Sequence, residues 1–195
     1  MLASKIFPIG IGTDICRVSR IYKNLTSKSG VKFINRILTP EELRTPRATG
    51  ILGCVHMQQK DAVVSKSPQP SGTRSAPRDP DMMKAAEFMA GRFAAKEAVM
   101  KAYSLRQIFF QDIIITYEHL LSQKPKSEES SSSQEEESSN LISETNWPRK
   151  SPPVALIKNN GTYEDVHARL SISHDGDYAV AFCLAFLKDP VPSES

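Results

Sequence analysis

The sequence predicts an α+β fold in which a largely antiparallel sheet packs on helices, including one long helix. Three observations support this prediction. Runs rich in Ile, Val and aromatic residues, which are typical of strands, occur near both ends of the 195-residue chain. A stretch with Ala, Met and Phe at helical spacing fills the middle, at about 81–103. The last two strand-like runs are joined by a short turn, and such a hairpin is antiparallel.

The N-terminal region contains one predicted strand and three predicted helices. Residues 5–13 (KIFPIGIGT) are apolar with two glycines, which indicates a buried strand that another backbone approaches closely. Apolar residues then recur at helical spacing from residue 15 to about 28, and 31–38 is predicted to form a second short helix. The segment TPEEL at 39–43 has an N-cap Thr, then Pro, and a Glu three residues after the cap. This pattern predicts a capping box at the start of a third helix.

The C-terminal region is predicted to contain four extended segments. They are IFFQDIIITYEHL at 108–120, PPVALI at 152–157, HARLSISHD at 167–175 and DYAVAFCLAFL at 177–187. The Asp-Gly-Asp sequence between the last two is a turn signal, so these two segments are predicted to form a hairpin.

The composition predicts a single domain, spanning 1–195, with flexible insertions at about 44–80 and 122–150. The second insertion carries Ser and Glu runs that cannot bury enough apolar surface to offset the entropy of ordering the chain. Six of its Glu residues lie between 127 and 146 with no Lys or Arg, so the net charge of +3 leaves 25 basic against 16 acidic residues, or +9, elsewhere. A basic folded part favours an anionic ligand or an acidic partner protein.

Several other classes of protein are not favoured. No apolar run reaches the ~18 to 20 residues of a membrane helix, so no membrane association is expected. Cys16, Cys54 and Cys183 are scattered and odd in number, which argues against disulfides and zinc sites and favours a reducing compartment. The sequence has no zinc finger, RNP-type aromatic motif or long arginine stripe, so nucleic acid is not expected as a partner.

Charged residues interrupt the long predicted helix. Within GRFAAKEAVMKAY, Glu97 and Lys101 lie four residues apart on one stripe, and Arg92 and Lys96 form the neighbouring stripe. On spacing alone, the favoured interpretation is a Glu97–Lys101 surface ion pair, with Arg92 and Lys96 keeping the helix soluble. The alternative is that Glu97 shares a Mg²⁺ ion with Asp14 while Lys101 and Lys96 contact phosphates.

Two other positions have more than one interpretation. Asp14 follows the predicted first strand and is as good a candidate for the N-cap of the next helix as for a metal ligand. His174 is either a hydrogen-bonding residue at a loop edge or a contact to a phosphate or base. A Ser-His-Asp hydrolase site is not favoured, because neighbouring Ser173 and His174 point to opposite faces of a strand.

Three segments, taken together, resemble the signature blocks of a known family in the same order. IGIGTDICRVSRI at 9–21, GRFAAKEAVMKAY at 91–103 and LSISHDGDYAVAF at 170–182 are similar to blocks of the holo-acyl-carrier-protein synthases, a family of 4′-phosphopantetheinyl transferases. The resemblance implies that family's fold. It also implies transfer of 4′-phosphopantetheine from coenzyme A to a serine of an acyl carrier protein, with release of adenosine 3′,5′-bisphosphate.

By the same resemblance, Asp14 and Glu97 match Mg²⁺ ligands and Lys101 matches a lysine at the coenzyme A phosphates. His174 matches a histidine beside the bound nucleotide. The base that removes the serine proton stays open between Glu97 and a metal-bound water. Glu97 and Lys101 are therefore the expected catalytic residues.

Arg20 occupies the motif position that faces the acidic carrier protein, with Arg17 and Lys23 as neighbours. The family also implies a homotrimer with active sites between subunits. YSLRQIFF at 103–110 lacks the glycines that family members often carry there. The two insertions look like those of a eukaryotic, fungal type, which favours a mitochondrial over a cytoplasmic location.

Two other functions are compatible with the sequence. A non-catalytic module could bind coenzyme A or an acidic partner, although such a module has no need of a carboxylate pair. A metal-dependent phosphohydrolase could use the same carboxylates without any carrier protein.

Overall fold

The computed structural model describes residues 8–64, 79–118, 151–158 and 165–187, with side chains for all of these except 60–64. In chain order the elements are β1 (Ile9–Arg17), α1 (Val18–Leu25), α2 (Gly30–Ile37), α3 (Pro40–Leu43), α4 (Pro46–Val64), α5 (Pro80–Ala102), a 3-10 turn (Phe110–Asp112), β2 (Ile113–Tyr117), β3 (Pro153–Ile157), β4 (Val166–Asp175) and β5 (Tyr178–Phe186). The predicted insertion at 122–150 lies outside the described residues.

The described strands form one five-stranded antiparallel sheet in the order β1-β5-β4-β3-β2. Its inner face packs on α5, and small buried side chains line both sides of this contact: Ala179, Ala181, Cys183 and Ala185 from β5, and Ala90, Ala94, Ala98 and Ala102 from α5. Small side chains let the helix lie close to the sheet. The predicted α+β class is confirmed.

The first strand is longer than the sequence predicted. β1 extends to Arg17 because its hydrogen-bonded ladder with β5 continues as far as Tyr178. The following helix therefore begins at Val18 and not near residue 15. The prediction that Asp14 lies at the end of the strand or caps the helix is wrong, because Asp14 is an interior strand residue paired with Ala181.

The final hairpin matches its prediction. β4 and β5 are joined by a tight turn in which Gly176 has φ +52°, a conformation that glycine adopts without steric cost. Asp177 in this turn also accepts hydrogen bonds from the backbone N–H and the hydroxyl of Ser19, at 2.8 and 2.6 Å. The turn thereby supplies the cap for α1 that Asp14 was a candidate to provide.

Part of the predicted flexible insertion at 44–80 is helical. Residues 46–64 form α4, and Ala48, Ile51 and Val55 on this helix are buried. These residues place α4 against α2 and α5. Residues 65–78 of the insertion lie outside the described part of the chain. Among the described helices, none is long and apolar enough to cross a membrane.

Lys96 is the largest fully buried side chain of the core. Its Nζ donates to Glu42 Oε2 at 2.5 Å, to Ile37 O at 2.7 Å and to Phe110 O at 3.0 Å. Burial lowers the pKa of Lys96 to about 8, against the opposing effect of the Glu42 carboxylate. Both predicted roles of Lys96, as a phosphate contact and as a solubilising charge, are therefore wrong.

Glu42 connects Lys96 to two other elements. Its carboxylate accepts from Thr39 N at 2.9 Å, which completes the predicted capping box, and from Ile115 N at 3.2 Å. A single carboxylate therefore joins the N-terminus of α3, the middle of α5 and strand β2. A buried charge pair of this kind is stable only when its remaining hydrogen-bonding capacity is used, as it is here.

Candidate active site

Two glycines of β1 allow its backbone to lie directly against α5. A Cβ atom at Gly12 would lie 1.9 Å from the carbonyl oxygen of Ala98, and one at Gly10 would lie 1.8 Å from that of Ala102. These distances are too short for any side chain, so glycine is required at both positions. The close backbone approach that the sequence predicted for this strand is confirmed.

Asp14 lies beside α5 as a consequence of this contact. It is two residues after Gly12 and therefore points to the same face of β1. Lys101 of α5 donates to Asp14 Oδ1 at 2.8 Å and to the carbonyl oxygen of Thr13 at 2.9 Å. Residues 87 positions apart in the sequence thus meet at this contact.

Glu97 is positioned by the same packing. Gly10 faces Ala102 and Gly12 faces Ala98, so β1 and α5 run in opposite directions. Two strand residues span about 6.6 Å, which is the length of about four helical residues. Asp14, two residues after Gly12, therefore lies at the level of the helical turn that precedes Ala98 and contains Glu97. In the described chain, the expected Glu97–Lys101 surface pair does not form, and Lys101 pairs with Asp14 instead.

The donor set at this contact fits a hard divalent cation. Asp14 is largely buried, with its side chain 17% exposed, and Glu97 lies about one helical turn before Lys101 with its carboxylate bordering an open cavity. Mg²⁺ is commonly bound by one or two carboxylates together with substrate phosphates and water. The described residues contain no group of three or more His, Cys, Asp and Glu side chains suited to a metal ion. The assignment of Asp14 and Glu97 as Mg²⁺ ligands therefore stays a prediction.

The cavity beside Glu97, here cavity A, has a volume of about 340 Å³ and lies between α1, α2 and α5. Arg20 lines it and stacks on Phe93, with the guanidinium carbon 5.2 Å from the ring centre. Phe33 and Arg36 of α2 line the opposite side. These two residues were not among the sequence-based candidates, although Arg36 follows Phe33 at helical spacing in a basic segment.

The other two predicted partner-binding residues lie away from cavity A. Arg17 is on β1, where its guanidinium donates to the Tyr178 hydroxyl at 2.9 Å and lies 3.9 Å from Asp177. Lys23 is an exposed residue in the last turn of α1 and is not among the residues that line the cavity. Of the three, only Arg20 is brought next to Glu97.

His174 lines a different cavity. Its Nε2 lies 3.0 Å from the carbonyl oxygen of Glu87, and the ring packs on Gly91 of α5. The second cavity, here cavity B, has a volume of about 380 Å³ and shares none of its lining residues with cavity A. Within one chain, the structure therefore does not place His174 in the same cavity as Glu97, although both cavities adjoin α5.

A model of the 4′-phosphopantetheinyl transferase superfamily matches residues 10–183, which include α5 and most of β1 and of the final hairpin. The chain belongs to this superfamily. The family inferred from three sequence segments is thus confirmed, and with it the prediction of a transferase.

Similarity to individual transferases extends over most of the chain. The mitochondrial 4′-phosphopantetheinyl transferase B of Aspergillus fumigatus is 28% identical over 185 residues, covering 92% of this chain and 94% of that protein. The holo-[acyl-carrier-protein] synthase of Geobacillus kaustophilus is 32% identical over 177 residues, covering 89% and 84%. A holo-acyl-carrier-protein synthase structure from Plasmodium yoelii aligns with a TM-score of 0.47 at 21% identity, covering 90% of this chain and 92% of that one.

The β1–α5 contact predicts contrasting effects for two glycine-to-alanine substitutions. Gly12→Ala should destabilise this transferase by about 3 kcal/mol, because the new methyl group meets the helix backbone and neither element can move without repacking the core. Gly53→Ala, on the exposed side of α4 with no atom within 4 Å of the added methyl group, should stabilise it by about 0.5 to 1 kcal/mol. Urea unfolding of both variants measures the difference. Equal stability of Gly12→Ala and the wild type would contradict the close contact.

Proposed function

We propose that this protein transfers 4′-phosphopantetheine from coenzyme A to a serine of an apo-acyl carrier protein, with Mg²⁺, and releases adenosine 3′,5′-bisphosphate. One observation carries the proposal: Lys101 Nζ is in contact with Asp14 Oδ1, and Glu97, one helical turn before Lys101, lines cavity A. Two carboxylates and an ammonium group on these two packed elements suit a pyrophosphate with its cation. The names of the relatives, transferases of this type, agree with it.

The proposed reaction is an attack of the serine hydroxyl oxygen on the β-phosphorus of coenzyme A. The serine O–P bond forms as the bond between that phosphorus and the bridging pyrophosphate oxygen breaks. The electron pair leaves with adenosine 3′,5′-bisphosphate, and the serine proton passes to a base. Glu97 is the carboxylate at the cavity that could accept this proton, provided that the carrier serine enters cavity A.

Lys101 would stabilise the charge that develops on the phosphoryl oxygens. Its side chain is about half exposed, and its Nζ is held at the edge of the site by Asp14 and the Thr13 carbonyl oxygen. A preorganised ammonium group of this kind needs little rearrangement as charge builds up. A bound Mg²⁺ ion would supply further positive charge and orient the pyrophosphate.

Cavity A also has the features expected of a carrier-protein contact. Arg20 and Arg36 are exposed at its rim, and the rings of Phe33 and Phe93 form apolar walls. Acyl carrier proteins are acidic, so the two guanidinium groups would steer and orient such a partner. Lys23 extends this positive charge along α1.

The nucleotide end of coenzyme A is proposed to bind in cavity B. His174 lies there, and Phe88 and Tyr117 provide aromatic surface for a base. Cavity A and cavity B share no lining residue within one chain, so the pyrophosphate and the nucleotide end would contact different parts of the protein surface.

The carboxylates can be tested with a mass-spectrometric transfer assay. Asp14→Asn and Glu97→Gln should each lower the rate of phosphopantetheine transfer by about 100-fold or more, since the loss of one group that stabilises transition-state charge has roughly this effect. The matched control is Asp81→Asn in the first turn of α5, whose exposed carboxylate forms an ion pair with exposed Lys84. Chelation of Mg²⁺ should abolish transfer and its addition restore it. Full activity in both carboxylate variants would refute the proposed site.

The carrier-protein contact predicts a difference between two arginines of the same segment. Arg20→Ala should raise the KM for the carrier protein about tenfold while leaving the KM for coenzyme A unchanged, since one charge-assisted contact is worth about this much. Arg17→Ala should have a smaller effect, because the Arg17 guanidinium is already bound by Tyr178 and lies outside cavity A. Steady-state kinetics with both substrates measures this. The same KM for both variants would contradict the placement of the carrier protein.

We also propose that the protein is a homotrimer in mitochondria. The outer face of β1 and β5 exposes five large apolar side chains: Ile11, Ile15, Phe182, Leu184 and Phe186. An apolar patch of this kind is typical of a protein interface, and a second copy is the occupant that the family suggests. Light scattering should give three times the mass of the chain, and a monomer at micromolar concentration would contradict this.

A mitochondrial location is supported by the mitochondrial relative and would be contradicted by cytosolic fluorescence of the tagged chain.

A further inference from the structure

The side chain of Gln111 caps the C-terminal end of α2. The last carbonyl groups of an α-helix have no hydrogen-bonding partner inside the helix. The Nε2 atom of Gln111 donates to three backbone oxygens at this end, those of Asn35, Arg36 and Leu38, at 2.9, 3.1 and 3.1 Å. An amide nitrogen carries two hydrogens, so one of them is shared between two acceptors. A single side chain from the 3-10 turn thus binds most of the end of α2.

Lys96 binds the Ile37 carbonyl group, which lies between those bound by Gln111. Its Nζ is 2.7 Å from the Ile37 oxygen and 3.0 Å from the carbonyl oxygen of Phe110, the neighbour of Gln111 in the turn. The same ammonium group therefore joins α2, α5 and the turn. A positive charge at a helix C-terminus is also stabilised by the helix dipole.

The turn that carries Gln111 is itself held on two sides. The Asp112 carboxylate accepts from the backbone N–H of Phe109 at 2.9 Å, within the turn. The Asp112 carbonyl oxygen accepts from the backbone N–H of Lys158, directly after β3, at 2.8 Å. Gln111 is therefore presented to α2 by a backbone that is anchored to the sheet.

The capped end of α2 forms one wall of cavity A. Phe33 and Arg36 of this helix line the cavity on the side opposite Arg20. With eight residues, α2 is too short to be stable alone, so its position depends on contacts with other elements. Gln111 binds the carbonyl oxygen of Arg36 itself, and so it fixes the backbone from which this guanidinium group reaches the rim of the cavity.

We propose that Gln111 is a positioning residue for the acyl carrier protein, because it caps α2 and thereby holds Phe33 and Arg36 in place at cavity A. This inference rests on the proposed function. Gln111 does not itself line the cavity, so it acts through α2 and not by contact with the carrier protein. It is also absent from the lining of cavity B, where the nucleotide is proposed to bind. The inference therefore predicts an effect on the carrier protein and none on coenzyme A.

The test is Gln111→Met in the transfer assay with both substrates varied. Methionine has nearly the same length and no N–H donor, so the carbonyl groups at the end of α2 lose their partner. The KM for the carrier protein should rise about three- to tenfold, as expected for the loss of one hydrogen bond. The KM for coenzyme A and kcat should stay unchanged. A general loss of stability would instead lower the amount of active enzyme and would not affect one KM selectively.

A double-mutant cycle with Arg36→Ala shows whether Gln111 acts through α2. Arg36→Ala alone should raise the KM for the carrier protein. In the Arg36→Ala background, Gln111→Met should raise this KM by a smaller factor than it does in the wild type, because the charged group that Gln111 positions is gone. Independent action of the two residues would give the same factor in both backgrounds.

Gln107→Met is the matched control. Gln107 is an exposed glutamine of the segment between α5 and the 3-10 turn, and it does not line cavity A. The same chemical change at this position should alter neither KM. Gln111→Asn is a second variant, whose amide is one methylene group shorter and cannot reach all three carbonyl groups. It should raise the KM for the carrier protein as Gln111→Met does.

Three results would overturn the inference. They are an unchanged KM for the carrier protein in both Gln111 variants, an equal rise in the KM for coenzyme A, and an equal effect of Gln111→Met with and without Arg36. Calorimetric titration with apo-carrier protein separates this inference from the proposed function. A wild-type protein that transfers nothing, but whose carrier binding is weakened by Gln111→Met and not by Gln107→Met, would refute the proposed function and support the positioning role of Gln111.

Discussion

The contact between the glycines of β1 and the backbone of α5 is the constraint on which the candidate site depends. Because neither Gly10 nor Gly12 has a side chain, the strand and the helix approach to backbone distance. Any larger residue would hold the two elements apart. This approach fixes the level of Asp14 along α5, so that its carboxylate meets Lys101 directly, about one helical turn from Glu97 in the helix. The site is thus a consequence of packing between two elements that are distant in sequence.

Three cations of α5, Arg92, Lys96 and Lys101, have separate roles although they lie within ten residues of one another. Lys96 faces inwards and joins α3 and β2 through Glu42, so its charge supports the core. Lys101 lies at the edge of the sheet and pairs with Asp14. Arg92 lies between these extremes, bound to β2 on one side and open to cavity B on the other. A helix packed on several sides can therefore use the same residue type for stability and for ligand contact.

The arrangement separates the two cavities on the surface of α5. Cavity A presents arginines and phenylalanines next to the carboxylate of Glu97, as suits a protein partner that delivers a nucleophile. Cavity B presents two guanidinium groups and aromatic rings, as suits a nucleotide. The outer face of β1 and β5 differs from both cavities, because large apolar side chains are exposed there. Cavity A, cavity B and the outer face of β1 and β5 therefore differ in the charged and apolar side chains that they present.

The sequence by itself determined the fold class, the order of the strands and of α5 along the chain, the capping box at Thr39 and the final hairpin, because helical spacing, alternation and turn residues are local signals. The two glycines of β1 also predicted that another backbone approaches this strand closely. The tertiary structure decided the length of β1, since a strand ends where its ladder with a neighbour ends. It also decided which cations are buried. The pattern of charges along α5 could not show that Lys96 would find Glu42, or that Arg47 would reach Phe88, because those partners lie 54 and about 40 residues away. Such contacts depend on how the elements pack, and no local period records them.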